Sequence, residues 1–164
     1  MQETRTVQLG VPGVDQAIRE RLIDDLNQNL ATLTDLATDY KQAHWNVVGR
    51  DFSQLHELFD TFTDETRAFA DLLAERAVQL GGAAHGTIQA AERNTSLPPF
   101  PLDERDERRL LEELLTRVDT TAIELRTAME GSGDEPATQD IYTEVVRGIE
   151  KQRWMLAAHL ERTQ

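Results

Sequence analysis

Cysteine is missing from this chain of 164 residues, which removes disulfides, thiolate metal sites and iron–sulfur clusters from consideration. Lysine is nearly missing too: Lys41 and Lys151 stand against fifteen arginines, and the formal charge is −13. So acidic a balance disfavours generic binding to nucleic acid or anionic lipid, because neutralising phosphate takes clustered Lys and Arg. No apolar run approaches the roughly 18 residues that span a bilayer, and the opening MQETRTVQLG is polar rather than signal-like. The expectation is a cytoplasmic protein, nucleoid-associated only if it binds DNA, with no membrane partner. Strand-like alternation and internal repeats are also absent.

What the chain does have is helical periodicity. Residues 1–13 read as an N-terminal arm ending in the turn Gly10-Val11-Pro12-Gly13, and residues 14–164 as one bundle domain. From Asp15, the stripe Ile18, Leu22, Leu26, Leu30, Leu33, Leu36, Tyr40 and Val47 predicts a helix of about 30 residues. Gly49 is expected to close it. His44 lies on that stripe and should point inward. A second helix is expected from Ser53, as N-cap, to a stop at Gly81-Gly82, with the seam Leu55, Phe59, Phe62, Thr66, Phe69, Leu73 and Leu80. Residues 83–102 carry three of the prolines and form a long crossover with a short helical turn near Ile88–Arg93. A third helix, from about Glu104 to Met129, should bury Leu110, Leu111, Leu114, Leu115, Val118, Ile123 and Leu125. After a Gly131–Pro136 turn, a fourth runs from about Ala137 to Glu161. Four long helices with a long middle connection predict an all-α, ferritin-like four-helix bundle with its crossover between helices two and three.

The second helix carries a mirrored pattern. His56 and Asp60 stand four apart near its start, Asp71 and Glu75 four apart near its end, and the pairs are symmetric about a point between residues 65 and 66. All four fall within roughly a 100° arc of the helix, yet His56 and Asp71 are about 22 Å apart along the axis. One metal ion cannot be reached by both. Two copies packed antiparallel about a two-fold near residues 65 and 66 would set His56 and Asp60 against the acids of the other copy, giving two identical sites per dimer. Imidazole and carboxylate donors suit Fe(II), Mn(II) or Zn(II). Taken singly, each pair is an ordinary surface charge pair and His44 an ordinary core histidine. It is the mirror placement, together with inward-pointing His44, that favours a metal site.

The stretch YKQAHWNVVGRDFSQLHELFDTFTDETRAFADLLAERAVQLGG, residues 40–82, closely resembles the Dps family of miniferritins. The pieces AHWNV, LHELFD, D-x-x-AER and LGG match that family's motifs at its spacing, and the likeness extends over most of the chain. The resemblance implies a ferroxidase centre at the dimer two-fold, holding two iron ions, with His44, His56 and Asp60 from one subunit and Asp71 and Glu75 from the other. It implies a homo-dodecameric shell built from such dimers, oxidising Fe(II) with hydrogen peroxide or dioxygen and storing ferric mineral; the donor chemistry also admits Zn(II) as a substitute metal. Trp45 matches a tryptophan beside the centre. Glu57 matches a nucleation acid, although Thr61 stands where a second acid often occurs. Glu130, Asp134 and Asp140 fall where the family lines an iron-entry pore. The Glu-x-x-His motif of ordinary ferritin-like di-iron bundles is absent: Lys41, Ser53, Gly82 and Leu156 precede the four histidines by three. The family's DNA binding depends on a basic tail, and this chain shows none, so DNA binding is not expected. The rival readings are a nucleoid DNA-binding protein and a catalytically silent metal-binding cage.

Overall fold

The structure, a computed structural model, describes residues 10–161. Most of the expected arm, and the three C-terminal residues, lie outside the described residues. Four long helices form the bundle: α1 (Gln16–Asn46), α2 (Phe52–Gln79), α4 (Glu107–Gly131) and α5 (Pro136–Glu161), with short α3 (Ile88–Asn94) inside the crossover. Helix α1 packs chiefly on α2 and α4 on α5, and the hairpins meet through α1–α4 and α2–α5. The predicted stripes form the core: Leu22, Leu26, Leu33, Leu36 and Tyr40 are buried with Leu55, Phe59, Leu73, Leu110 and Leu114, and Ile149 of α5 joins them. Among the described residues no helix is long and apolar enough to cross a membrane.

Local chemistry sets the helix ends. The Asp15 carboxylate accepts the Ala17 N–H at 2.8 Å, and Asp106 accepts that of Arg109 at 3.0 Å, each satisfying an orphan donor of a first turn. Helix α2 stops as expected: Gly81 takes a φ of 97°, its N–H reaches Val78 O at 2.9 Å and that of Gly82 reaches Ala77 O at 3.0 Å. This is the paired-bond C-terminal motif that glycine permits.

Other expected boundaries move. Helix α1 ends at Asn46, capped by Val47 in an extended conformation, and Gly49 is not in the left-handed region. Gly49 therefore does not close the helix. Helix α2 begins at Phe52, one residue ahead of Ser53, and Asp51 occupies the N-cap position without a side-chain capping bond. Helix α4 starts at Glu107 rather than near Glu104, because Asp106 is the residue whose carboxylate caps it. Ile123, expected in the core, is 67% exposed; it sits on the same outward side of α4 as Asp119 and Arg126, which ion-pair with Arg153 and Glu150 of α5.

Two buried ionic clusters tie the hairpins together. Arg117 of α4 is 1% exposed. It donates to the carbonyls of Pro98 and Pro99 at 2.8 and 3.0 Å, pairs with Glu113 at 2.9 Å and Asp39 at 3.5 Å, and lies 5.0 Å over the Phe100 ring. Burial, eased by Arg117 and reinforced by Asp35 and Glu113, pushes the Asp39 carboxyl up to about 7. At the start of α5, Glu135 accepts from Arg76 of α2 at 2.6 Å and from the Thr138 N–H at 2.8 Å. There burial alone would raise the carboxyl, but hydrogen bonds from Thr138 and Arg76 outweigh it and hold it below the usual range.

Candidate metal centre

The last turn of α1 and the first turns of α2 bring two histidines face to face. His44, near the end of the inward stripe, is buried, and its ring stacks on His56 with centroids 3.7 Å apart and planes 21° from parallel. Each ring bonds the other residue's backbone: His44 Nδ1 lies 2.7 Å from the His56 carbonyl, and His56 Nδ1 lies 2.8 Å from that of His44. A carbonyl only accepts, so each Nδ1 carries a proton, and in the neutral ring Nε2 keeps its lone pair. A carbonyl fixing the far nitrogen is the usual second support of a metal-binding imidazole. Phe52, at the first position of α2, stacks on His56 at 5.2 Å.

Asp60, one turn beyond His56, is half-exposed and ion-paired with Lys41. The Lys41 hydrogen bond, ahead of the charges of Lys41, His44 and His56, holds its carboxyl below the ordinary value. Lys41 was missed in the sequence. Its signal was the i, i+3 spacing to His44, which puts both on one side of α1, on one of only two lysines. His44 and His56 thus meet within one chain, with Asp60 one turn further along α2 and held by Lys41.

Asp71 and Glu75 do not join them. Both are exposed at the far end of α2, and among the described residues no three His, Cys, Asp or Glu side chains cluster closely enough to hold a metal ion. Trp45, next in sequence to His44, is 66% exposed. Glu57 is exposed on α2, with its carbonyl accepting from Thr61 at 3.0 Å. Glu130, Asp134 and Asp140 are exposed around the α4–α5 turn, and Asp134 pairs with Arg21 at 3.6 Å.

Known proteins share this architecture. The ferritin-like domain family matches residues 23–164. The DNA protection during starvation protein of Agrobacterium fabrum is 39% identical over 145 residues, covering 87% of this chain and 90% of that one. The fine tangled pili major subunit of Haemophilus ducreyi is 34% identical, covering 92% of this chain and 80% of that one. The solved structure of DpsA14 from Streptomyces coelicolor superposes with a TM-score of 0.89 at 35% identity, covering 94% of this chain and 93% of that chain. The fold and the matched span make this chain one of the ferritin-like helical-bundle proteins. Within them it belongs to the Dps family, the miniferritins.

Proposed function

We propose that the chain is the subunit of a Dps-type shell of twelve copies that oxidises Fe(II) and stores the ferric product. The observation that carries this reading is the division of α2. One end presents His56, facing His44 of α1, with the Nδ1 of each ring committed to the other residue's carbonyl and Nε2 left for a metal; the other presents two exposed carboxylates. Antiparallel pairing of α2 about a two-fold would set the partner subunit's Asp71 and Glu75 beside His44, His56 and Asp60. Iron is the substrate. Two Fe(II) ions supply the two electrons that reduce one hydrogen peroxide, with two protons, to two waters, so no odd electron is left to make a radical. Dioxygen is the alternative oxidant, and Zn(II) a redox-silent occupant.

Each residue has a part in this reading. The imidazoles and carboxylates bind the ions, and the carboxylates favour the higher charge of Fe(III). Lys41 holds Asp60 until a cation replaces it. The exposed Trp45 takes up stray oxidising equivalents. Glu130 and Asp140 draw Fe(II) inward; Asp134 contributes less because Arg21 already neutralises it. Glu57 helps seed mineral. The charge of −13 per subunit repels phosphate, which disfavours the nucleoid-binding reading despite the names of the relatives.

Subunit complementation tests the shared centre. His44→Ala/His56→Ala and Asp71→Asn/Glu75→Gln variants should each lose rapid growth of ferric absorbance after Fe(II) and peroxide are mixed. Coexpressed in equal amounts, they should regain about a quarter of the wild-type rate, because random pairing makes half the dimers mixed and each mixed dimer carries one intact centre. No regain in shells shown to contain both chains would refute a centre shared between subunits.

A further inference from the structure

A strap distant in sequence holds the turn between the two histidines. Residues 47–51 join α1 to α2, and the segment leading into α4 is bound to that turn. Gln42 Nε2 donates to Leu102 O at 3.2 Å, Val48 N to Arg105 O at 2.9 Å and Asp51 N to Glu107 Oε2 at 2.9 Å. An isolated parallel bridge pairs Val48 with Asp106. Asp51 is the N-cap residue of α2 and makes no capping bond of its own; Glu107, from another helix, accepts the Asp51 N–H, the bond a Glu at the third helical position makes in a capping box.

Gly49 shows how closely the strap fits. Its backbone is not left-handed, so any residue could adopt it. A Cβ built there would nevertheless run into the Glu107 carboxylate. The glycine is needed for the room Glu107 occupies, not for its own conformation. His44 lies three residues before Val47 and His56 five after Asp51, and each donates to the other's carbonyl. Movement of this turn therefore shifts both rings and both of the bonds that orient them.

We propose that Glu107 is a positioning residue for the histidine pair, acting through Asp51 N–H and the space at Gly49; this rests on the metal-centre reading above. The test is anaerobic Co(II) titration of the full-length protein, read by visible ligand-field absorbance, with hydrogen exchange at the Asp51 amide. Glu107→Ala removes the acceptor, and Gly49→Ala displaces it while leaving it in the chain. Both should weaken Co(II) binding about tenfold, the low end for lost support of a metal-binding histidine, and alter the band. Glu107→Gln, which keeps an acceptor oxygen and loses the charge, should stay within about twofold of wild type. A residue that only stabilised the fold would lower the unfolding temperature and leave affinity and band unchanged.

Wild-type affinity and spectrum in Gly49→Ala, with faster exchange at Asp51, would overturn the proposal even if Glu107→Ala failed to fold. Equal loss in Glu107→Gln and Glu107→Ala would overturn the role of the hydrogen bond. A His44→Ala/His56→Ala control that bound Co(II) as wild type does would refute the centre itself, a result distinguishable from either.

Discussion

Replacing Arg117 by Met removes the one cation between Asp39, Glu113 and the carbonyls of Pro98 and Pro99, at a site 1% exposed. At pH 6 Asp39 holds its proton in both proteins, because its carboxyl stands at about 7 even with Arg117 present. The loss is then the two carbonyl bonds and the Glu113 pair, about 3 kcal/mol. Above pH 7 wild-type Asp39 ionises against Arg117. The variant has lost the influence that lowers this carboxyl and keeps its proton, so the penalty should grow by about 1.4 kcal/mol per pH unit. The sign for wild type follows the same rule. Between its ordinary value of 3.8 and about 7 the folded chain holds a proton that the unfolded chain has released, so this group's contribution falls as pH rises through that window. Guanidinium unfolding at pH 6 and pH 8, at one fixed subunit concentration, measures both parts. A penalty below about 1 kcal/mol, or one that does not grow between the two pH values, would refute this account.

Three further outcomes are expected. Glu135→Gln leaves buried Arg76 half-paired and should cost about 3 kcal/mol at pH 7; because the Glu135 carboxyl is held below 4.5, its contribution is present above that pH and lost on acidification, so the variant's acid unfolding limb should flatten. Lys41→Gln frees Asp60 from the ion pair that a metal must displace, and Zn(II) affinity measured by chelator competition should rise about two- to fivefold; an unchanged or weaker affinity would contradict the exchange. Duplex DNA at about 0.15 M salt without divalent metal should show no mobility shift, since the Debye length of about 8 Å leaves nothing basic enough to hold it; a clear shift would reverse the DNA reading.

The four long helices were legible because Leu22, Leu26, Leu33 and Leu36, and Leu55, Phe59, Phe62 and Leu73, repeat at the period of a half-buried helix. The Gly81-Gly82 stop was legible because its bonds are local. Gly49 was misread for the opposite reason: what needs its missing side chain is Glu107, 58 positions away. Asp51 lacks its own cap for the same reason. Ile123 has a core residue's spacing, but nothing in one helix's sequence says which neighbours it will meet. At the centre, the histidines and their spacing could be read, whereas the reciprocal Nδ1–carbonyl bonds could not, being a property of how two backbones meet. Lys41 against Asp60 is a contact across 19 positions and belongs with them.

The strap also sets an order of maturation. All five proposed ligands lie within the first 75 residues, while the segment that braces their turn begins at Leu102. During synthesis a nascent α1–α2 segment would carry the five proposed ligands before the brace that orders them is made, so tight metal capture at the proposed centre would await emergence and docking of α4.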